Sequence, residues 1–376
     1  MATVRKRILP SGEVRWMADY VDAKGKRRGK QFAKRKDADS YLVSVRGDLQ
    51  RGTHVAPGAS ITVKQAGKLW IERAERDRLV TSTLRQYQAH LIHHIEPALG
   101  RDKLSDLTTP RIHEFADEFL KTHSRALTRK VLTSIGSLID EAIRRGVASH
   151  NPARAVKLRA AHDERKEGDD VEIPTKDELR AMLATVVGRW RPIIVTDMFT
   201  GLRGSELRGL KWEDVDLKGG IIHVRRRVDA WEVFGPPKTK AGKRSIPLPP
   251  IVSNILREWK VACPKGELNK LDLVFPSPSG GVLSHSCILK DGFHPLQVAA
   301  GVAPKVDGVP RAKYGLHALR HAAVSMWIEQ NLSPKRIQML AGHSSIRVTF
   351  DIYGHLFKSD EADQTAMAEI EARLLR

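Results

Sequence analysis

Seven of the ten residues from Ala161 to Asp170 are charged, and the run includes His162-Asp163-Glu164-Arg165-Lys166-Glu167-Gly168. Such a stretch cannot be buried without stranding ionised groups away from water. It must run through solvent, so the chain on either side folds as separate bodies. A second break, Gly52-Thr53-His54-Val55-Ala56-Pro57-Gly58, has the composition of a loop. At roughly 100–200 residues per domain, a chain of 376 residues divides at these points into segments 1–57, 58–160 and 173–376, with 161–172 as linker. Hydrophobic residues make up 41% of the chain, enough to give these segments cores.

Composition narrows the function. The 64 Lys and Arg against 44 acidic residues leave a formal charge of +20, which points to a polyanionic partner, nucleic acid ahead of a membrane surface. Residues 1–57 hold 14 basic and 6 acidic side chains, the densest positive charge in the chain. Two cysteines, Cys263 and Cys287, cannot build a disulfide framework and fit a reducing cytoplasm. The basic start, Met1 to Pro10, is not followed by the apolar core of a secretory signal. No apolar run approaches the ~18 residues of a membrane helix, so no membrane partner is expected.

Periodicity assigns the elements. Residues 14–21 and 29–32 alternate as short strands, and 37–49 reads as a helix. With Lys24, Lys26, Arg27, Arg28 and Lys30 among them, they form a candidate DNA-binding module whose phosphate contacts give salt-sensitive affinity. Helices are expected at 63–74, with Thr62 and Gln65 as a capping box, and at 82–95, capped by Ser82. Two more are expected at 111–120, after Thr109 as cap and Pro110 at the first helical position, and at 125–145. Thr175 and Glu178 form another capping box at the start of the third segment. There, residues 221–228 read as a strand with its return at 244–248. The fold class is mainly α with small antiparallel β-sheets.

Five polar landmarks lie in the third segment, each ordinary alone. Thr200-Gly201-Leu202-Arg203-Gly204-Ser205-Glu206-Leu207 reads as a turn feeding a helix, and a single Arg there is commonly a surface group. Pro237-Lys238-Thr239-Lys240-Ala241-Gly242-Lys243 reads as a hairpin tip, where lysines commonly decorate solvent. His317-Ala318-Leu319-Arg320-His321 heads a helix. His317 and Arg320 share a face, and His317 and His321 have the four-residue spacing of a zinc pair. The zinc-protease motif, however, has Glu after its first His where this chain has Ala318. Gly342-His343 follows a helix over 334–341 that Ser333 can cap. Tyr353 lies among apolar residues in Phe350-Asp351-Ile352-Tyr353-Gly354-His355, where a tyrosine is usually core.

In combination these motifs closely resemble the tyrosine recombinase or phage integrase family, in residue type, order and approximate spacing. The resemblance is firm over residues 170–376. The earlier segments are similar to the family's arm-binding module and helical core-binding domain in layout and composition only. It implies a site-specific DNA recombinase that breaks and rejoins DNA through a covalent 3′-phosphotyrosine, integrating or excising a mobile element in a bacterial cytoplasm. It implies double-stranded DNA with core and arm sites, a tetramer on DNA, an accessory directionality or DNA-bending protein, and no cofactor or metal.

The matched residues suit that chemistry. Arg203 and Arg320 would clamp the non-bridging phosphate oxygens, since a guanidinium fork donates two hydrogen bonds and stays charged. His343 would add a donor, and His317 is the expected proton-transfer residue. The resemblance assigns Lys238 to protonate the departing 5′ oxygen, with Lys240 as the alternative and otherwise a DNA contact. Tyr353 would be the nucleophile. Glu206 would hold an arginine or a helix terminus in place. Ala318 departs from the acidic residue usual there, which should affect packing rather than chemistry. Competing readings are a non-catalytic DNA-binding regulator, a zinc hydrolase using His317, His321 and His343, and a type IB topoisomerase. The amphipathic tail, residues 360–376, could bury Ala366, Met367, Ile370 and Leu374 on its own domain or on a neighbouring protomer.

Overall fold

The computed structural model describes residues 2–22, 25–50, 52, 54–55, 60–158, 172–357 and 360–375, without the side chains of 360–363, 365 and 366. Lys24, residues 161–171 of the expected linker and the side chain of Ala366 therefore lie outside the described residues. The chain divides into two compact units, residues 1–162 and 163–376.

The first unit opens with an antiparallel meander of β1 (Thr3–Ile8), β2 (Val14–Val21) and β3 (Arg27–Phe32), with β2 central. Alternation along β2 turns Ala18 and Tyr20 to one face. Helix α1 (Arg35–Gln50) closes that face with Ala38, Leu42 and Val45, spaced one helical turn apart.

Helix α2 (Val63–Arg76) starts at the expected box: Thr62 Oγ1 accepts from Gln65 N–H at 3.2 Å, and Gln65 Oε1 accepts from Thr62 N–H at 2.9 Å. The single helix expected over 82–95 is instead α3 (Thr81–His90), a π-helical turn (Leu91–Ile95) and α4 (Glu96–Leu99). Ser82 does not cap it; Val80 stands at the N-cap without a side-chain bond. The widened turn precedes Pro97, which has no N–H for the carbonyl four residues earlier, so the ladder slips to a longer bond. The second π-helical turn, Ile288–Phe293, likewise runs up to a proline, Pro295. Helix α5 (Thr109–Leu120) is capped by Thr108, not Thr109, which moves Pro110 to the second helical position. Helix α6 (Arg125–Arg144) carries Val131, Ile135, Leu138 and Ile139 into a core shared with Trp70, Ile95 and Phe115.

In the second unit α7 (Lys176–Thr185) begins at the Thr175–Glu178 box. It is followed by α8 (Trp190–Thr200), α9 (Gly204–Arg208), β4 (Val215–Asp216), β5 (Ile221–Val224), β6 (Arg227–Val228), β7 (Phe234–Gly235) and β8 (Arg244–Pro247). One antiparallel sheet has the order β4-β5-β8, and β6 pairs with β7. The strand expected over 221–228 is thus broken. Arg225 Nη1 and Arg226 Nη2 lie 3.5 and 3.3 Å from the same oxygen of buried Asp214. Consecutive strand residues face opposite ways, so the chain must leave the sheet for both to reach one carboxylate.

Next come α10 (Pro250–Ala262), α11 (His285–Cys287), α12 (His294–Ala299) and a small hairpin of β9 (Lys305–Val306) and β10 (Val309–Pro310). The remaining helices are α13 (His317–Glu329), α14 (Pro334–Ala341, capped by Ser333), α15 (Ile346–Tyr353) and α16 (Asp360–Leu374). Ile193, Ile194, Val195 and Met198 make α8 a buried central helix, and Leu319 and Ala322 of α13 share its core. Ala318 is buried in that core. Among the described residues no helix is long and apolar enough to cross a membrane.

This packing predicts an ordering of mutational costs. Ile135→Ala, at a position 1% exposed, should lower unfolding free energy by about 2–5 kcal/mol. Thr62→Ala should cost only about 1 kcal/mol through the lost cap. Chemical denaturation of the two variants checks the ranking, and equal losses would contradict it.

Candidate active site

The site is built where α8 ends, where α13 begins and where α14 ends. Helix α8 stops at Gly201, which takes a left-handed conformation (φ +56°). A Cβ there would lie 3.1 Å from Ala323 Cβ of α13, so only glycine lets the chain turn this closely over that helix. The turn delivers Arg203 in an extended conformation at the N-cap of α9. Glu206, on the first turn of α9, accepts from Arg203 N–H at 3.0 Å and from Arg203 Nη1 at 2.9 Å.

Three arginines from three elements converge on three consecutive carbonyls at the end of α14. Arg244 Nε donates to Leu340 O at 2.6 Å, Arg320 Nη2 to Ala341 O at 2.6 Å, and Arg203 Nη2 to Gly342 O at 2.7 Å. Arg320 Nη1 donates to Gly201 O at 2.6 Å, which ties the first motif to the third and fourth. Gly342 is left-handed (φ +66°), and a Cβ on it would meet Arg244 Nη1 at 3.0 Å and Ala241 O at 3.1 Å. Glu206 also receives Arg244 Nη1 and Nη2 at 3.1 and 2.8 Å. It therefore holds two arginines and a helix start, as its position in the motif led us to expect.

His343 follows Gly342, is buried, and pairs through Nδ1 with Thr349 Oγ1 at 2.9 Å. Its ring stacks on Tyr353 with centroids 6.3 Å apart and planes 17° off parallel. Tyr353 is 1% exposed, and its Oη lies 2.6 Å from His321 Nδ1. His317 reaches solvent at the start of α13, and its ring stands edge-on to His321 with centroids 4.7 Å apart.

Burial and positive charge set the protonation states. Burial, then Arg203 and Arg244, pull Arg320 down to about 10, which leaves it charged. Burial and the neighbouring cations hold His343 at about 4. Burial, His317 and Arg320 hold His321 at about 4. His317 is lowered by burial, Arg320 and Arg203. Burial pushes the Tyr353 phenol up to about 12 against the opposing pull of Arg320. Burial would raise Glu206, but its hydrogen bonds to Arg244 and Arg203 hold it below the usual carboxylate range.

Arg203, His317, Arg320, His343 and Tyr353 are thus gathered into one site. Lys238 and Lys240 are exposed on the 237–243 loop, and no contact separates them as acid candidates. Of the other expected DNA contacts, Lys26 and Arg27 are exposed. Arg28 is turned inward to Asp22 (2.8 Å), and Lys30 lies over the Tyr41 ring (5.3 Å). Arg244 was missed by the motif reading; as the first residue of a returning strand it carries no local signal. His321 entered that reading only as a candidate zinc ligand. Among the described residues no three His, Cys, Asp or Glu side chains are arranged to hold a metal, and His321 faces a phenol instead.

The phage integrase family model matches residues 166–360, and the phage integrase central domain model matches 63–159. Among curated proteins, the chain is 24% identical to a XerC-like tyrosine recombinase of Caldanaerobacter subterraneus over 91% of this chain and 92% of that protein. It is 28% identical to an integrase of Streptomyces ambofaciens over 90% of this chain and 89% of that one. Among solved structures, the Tn1549 transposon integrase in complex with a circular intermediate DNA superimposes with a TM-score of 0.65 at 20% identity, covering 83% of this chain and all of that one. A lambda integrase tetramer bound to a Holliday junction gives 0.58 at 20% identity, covering 90% and 95%. The chain belongs to the phage integrase family. It is a tyrosine-type site-specific recombinase, and DNA is its partner.

The two depressed histidines make stability pH-dependent. An unfolded His titrates near 6.5, whereas folded His321 and His343 stay neutral down to about 4. Between these values the unfolded chain binds more protons, so stability is full above 6.5 and is lost as pH falls. The pair should cost the fold a few kcal/mol between pH 7 and 4, since each tenfold difference in proton affinity is worth ~1.36 kcal/mol. Imidazole NMR titration should find both rings uncharged at pH 5.5, with a lower denaturation midpoint than at pH 7.5. Two rings titrating near 6.5 would contradict it.

Proposed function

We propose that Tyr353 attacks a DNA phosphate within a cradle formed by Arg203, Arg320 and His343. The reading rests on the three arginines fixed on the end of α14 beside the Tyr353 ring. Arg320 has five N–H donors and spends two on carbonyls, so donors remain for non-bridging oxygens. Such fixed cations stabilise the charge that builds on phosphorus in the transition state.

In the cleavage step Tyr353 Oη bonds to phosphorus and the bond to the 5′ oxygen breaks. Lys238 gives that oxygen its proton, with Lys240 as the alternative on the same loop. His317, open to solvent, exchanges protons with the site. The DNA is left joined through a 3′-phosphotyrosine, and attack by a 5′ hydroxyl of another strand reverses the chemistry. No nucleotide cofactor is required, because the covalent link conserves the phosphodiester's energy. As Tyr353 is 1% exposed, DNA docking must open a path to Oη.

The assembly follows from the same reading. Residues 1–57 act as an arm-site module, 58–160 and 173–376 grip the core site, and four copies join two duplexes in the bacterial cytoplasm. An accessory protein that sets direction or bends DNA belongs to this scheme. Met367, Ile370 and Leu374 of α16 are exposed. The catalytic unit also carries an apolar groove of about 670 Å³ lined by Leu179, Leu183, Met198, Phe199, Met326 and Trp327. On this reading the tail of a neighbouring protomer is the occupant of that groove. Integration or excision of a mobile element is the reaction this assembly serves.

Two experiments test the reading. Tyr353→Phe should abolish covalent adducts on a nicked suicide substrate while binding is retained; persistent adducts would exclude Tyr353 as the nucleophile. Deleting residues 1–57 should weaken binding to arm-site DNA and flatten its salt dependence, since every phosphate the protein no longer neutralises takes about 0.9 from the log–log slope. Cleavage of a core site should survive. Equal slopes for the two proteins would remove the basic segment from the DNA interface.

A further inference from the structure

We infer that His321 is a catalytic residue, the group whose Nδ1 takes the proton of Tyr353 as its oxygen bonds to phosphorus. The inference rests on Tyr353 being the nucleophile. It adds a function for a side chain that no part of the phosphate cradle requires.

The geometry carries it. His321 lies one residue beyond Arg320 on α13, and its Nδ1 is 2.6 Å from Tyr353 Oη, within the range for direct proton transfer. Both groups are buried, Tyr353 at 1% and His321 at 9% exposure, so water does not compete for the contact. Arg320 uses Nη1 and Nη2 to bond carbonyls on either side of the site. That fixes the stretch of α13 from which His321 projects.

The energetics fit a concerted transfer. Burial, His317 and Arg320 hold the ring at about 4, so it is neutral and free to accept. The phenol, at about 12, holds its proton in the resting site. As the O–P bond forms, that oxygen becomes an ester oxygen and its basicity collapses far below that of imidazole. The proton therefore becomes transferable to a weak base only while bond formation is under way. The incoming phosphate also offsets the repulsion of Arg320 and favours the imidazolium. The balance closes. The proton passes from Tyr353 to His321, the O–P bond forms, the bond to the 5′ oxygen breaks, and that oxygen is protonated by the lysine. When a 5′ hydroxyl attacks, His321 returns its proton to the departing phenolate.

The test compares single-turnover adduct formation by wild type, His321→Gln, His321→Asn and Tyr353→Phe on a nicked suicide substrate, and on the same DNA with sulfur in place of the 5′ bridging oxygen. A thiolate leaves without a proton, so the sulfur substrate suppresses defects on the leaving-group side. The two amide variants keep a polar contact but cannot accept a proton. With DNA binding retained, both should be slower by about 10²–10⁴-fold on both substrates. Rates within threefold of wild type, or a deficit restored by sulfur, would overturn the assignment. Should both variants lose binding, ¹⁵N-imidazole spectra of the wild-type protein decide, with Tyr353→Phe identifying the His321 signal. An unprotonated Nδ1 is expected, and an Nδ1–H donor would overturn the inference. Adducts formed by Tyr353→Phe would instead condemn the nucleophile assignment.

Discussion

A guanidinium that is 2% exposed ties the catalytic unit together. Arg320 bonds Gly201 O, at the end of α8, and Ala341 O, the last residue of α14. Helix ends leave carbonyls without intrahelical partners, and these carry the negative pole of the helix. A buried cation needs such acceptors as much as they need donors, because an uncompensated charge in the interior costs several kcal/mol. One side chain therefore closes two helices and fixes both to its own. Arg203 and Arg244 repeat the arrangement on the neighbouring carbonyls of Gly342 and Leu340. The arginine cluster and the packing of α14 are thus one structure, and the cluster cannot be loosened without freeing a helix end.

The acceptors being carbonyls has an electrostatic consequence. A carboxylate facing each arginine would cancel the charge that a phosphate must meet, whereas a carbonyl dipole orients a guanidinium and leaves it net positive. Glu206 is the anion placed among them, shared by Arg203 and Arg244. Asp197 is 1% exposed, and burial raises it well above the usual carboxylate range, with Arg320 opposing and Glu206 adding to the shift. Burial thus works against its carrying a charge that would offset the arginines. Burial first, and the residual positive charge after it, depress His317, His321 and His343 together, so the same buried cations that would meet a phosphate also weigh against protonation of the imidazoles.

Much of this was legible in the sequence, for reasons particular to each element. Thr62 with Gln65 and Thr175 with Glu178 announced their helices because capping is local chemistry. Gly201 and Gly342 stand beside the site residues because the backbone there must turn left-handed against a packed neighbour. Non-local effects were hidden. The break after β5 depends on Asp214 drawing in both Arg225 and Arg226. The π-helical turns depend on prolines further along that cannot donate. Arg244 became visible only once folding laid the start of a strand against the end of a helix some hundred positions later in the chain. Spacing gave His321 only as a candidate zinc ligand, because the phenol beside it in the fold lies 32 positions further along the chain.

The site carries an excess of positive charge, and on the proposed reading that bears on when Tyr353 reacts. Arg203 and Arg244 share the Glu206 carboxylate while Arg320 bonds carbonyls, burial and the cations hold His321 and His343 at about 4, and burial pushes the phenol up to about 12. A tyrosine in that state would react slowly with a phosphate. On the proposed reading, a duplex phosphate seated on Arg203 and Arg320 would supply negative charge and make protonation of the imidazoles easier as a proton leaves Tyr353. Substrate would thus complete the charge balance on which the proposed chemistry depends, coupling reactivity to correct docking. The same balance would operate in reverse when a new 5′ hydroxyl approaches the proposed phosphotyrosine, because the cradle is unchanged. Cations held by backbone carbonyls rather than by carboxylates keep their charge for a phosphate in either direction of the proposed reaction.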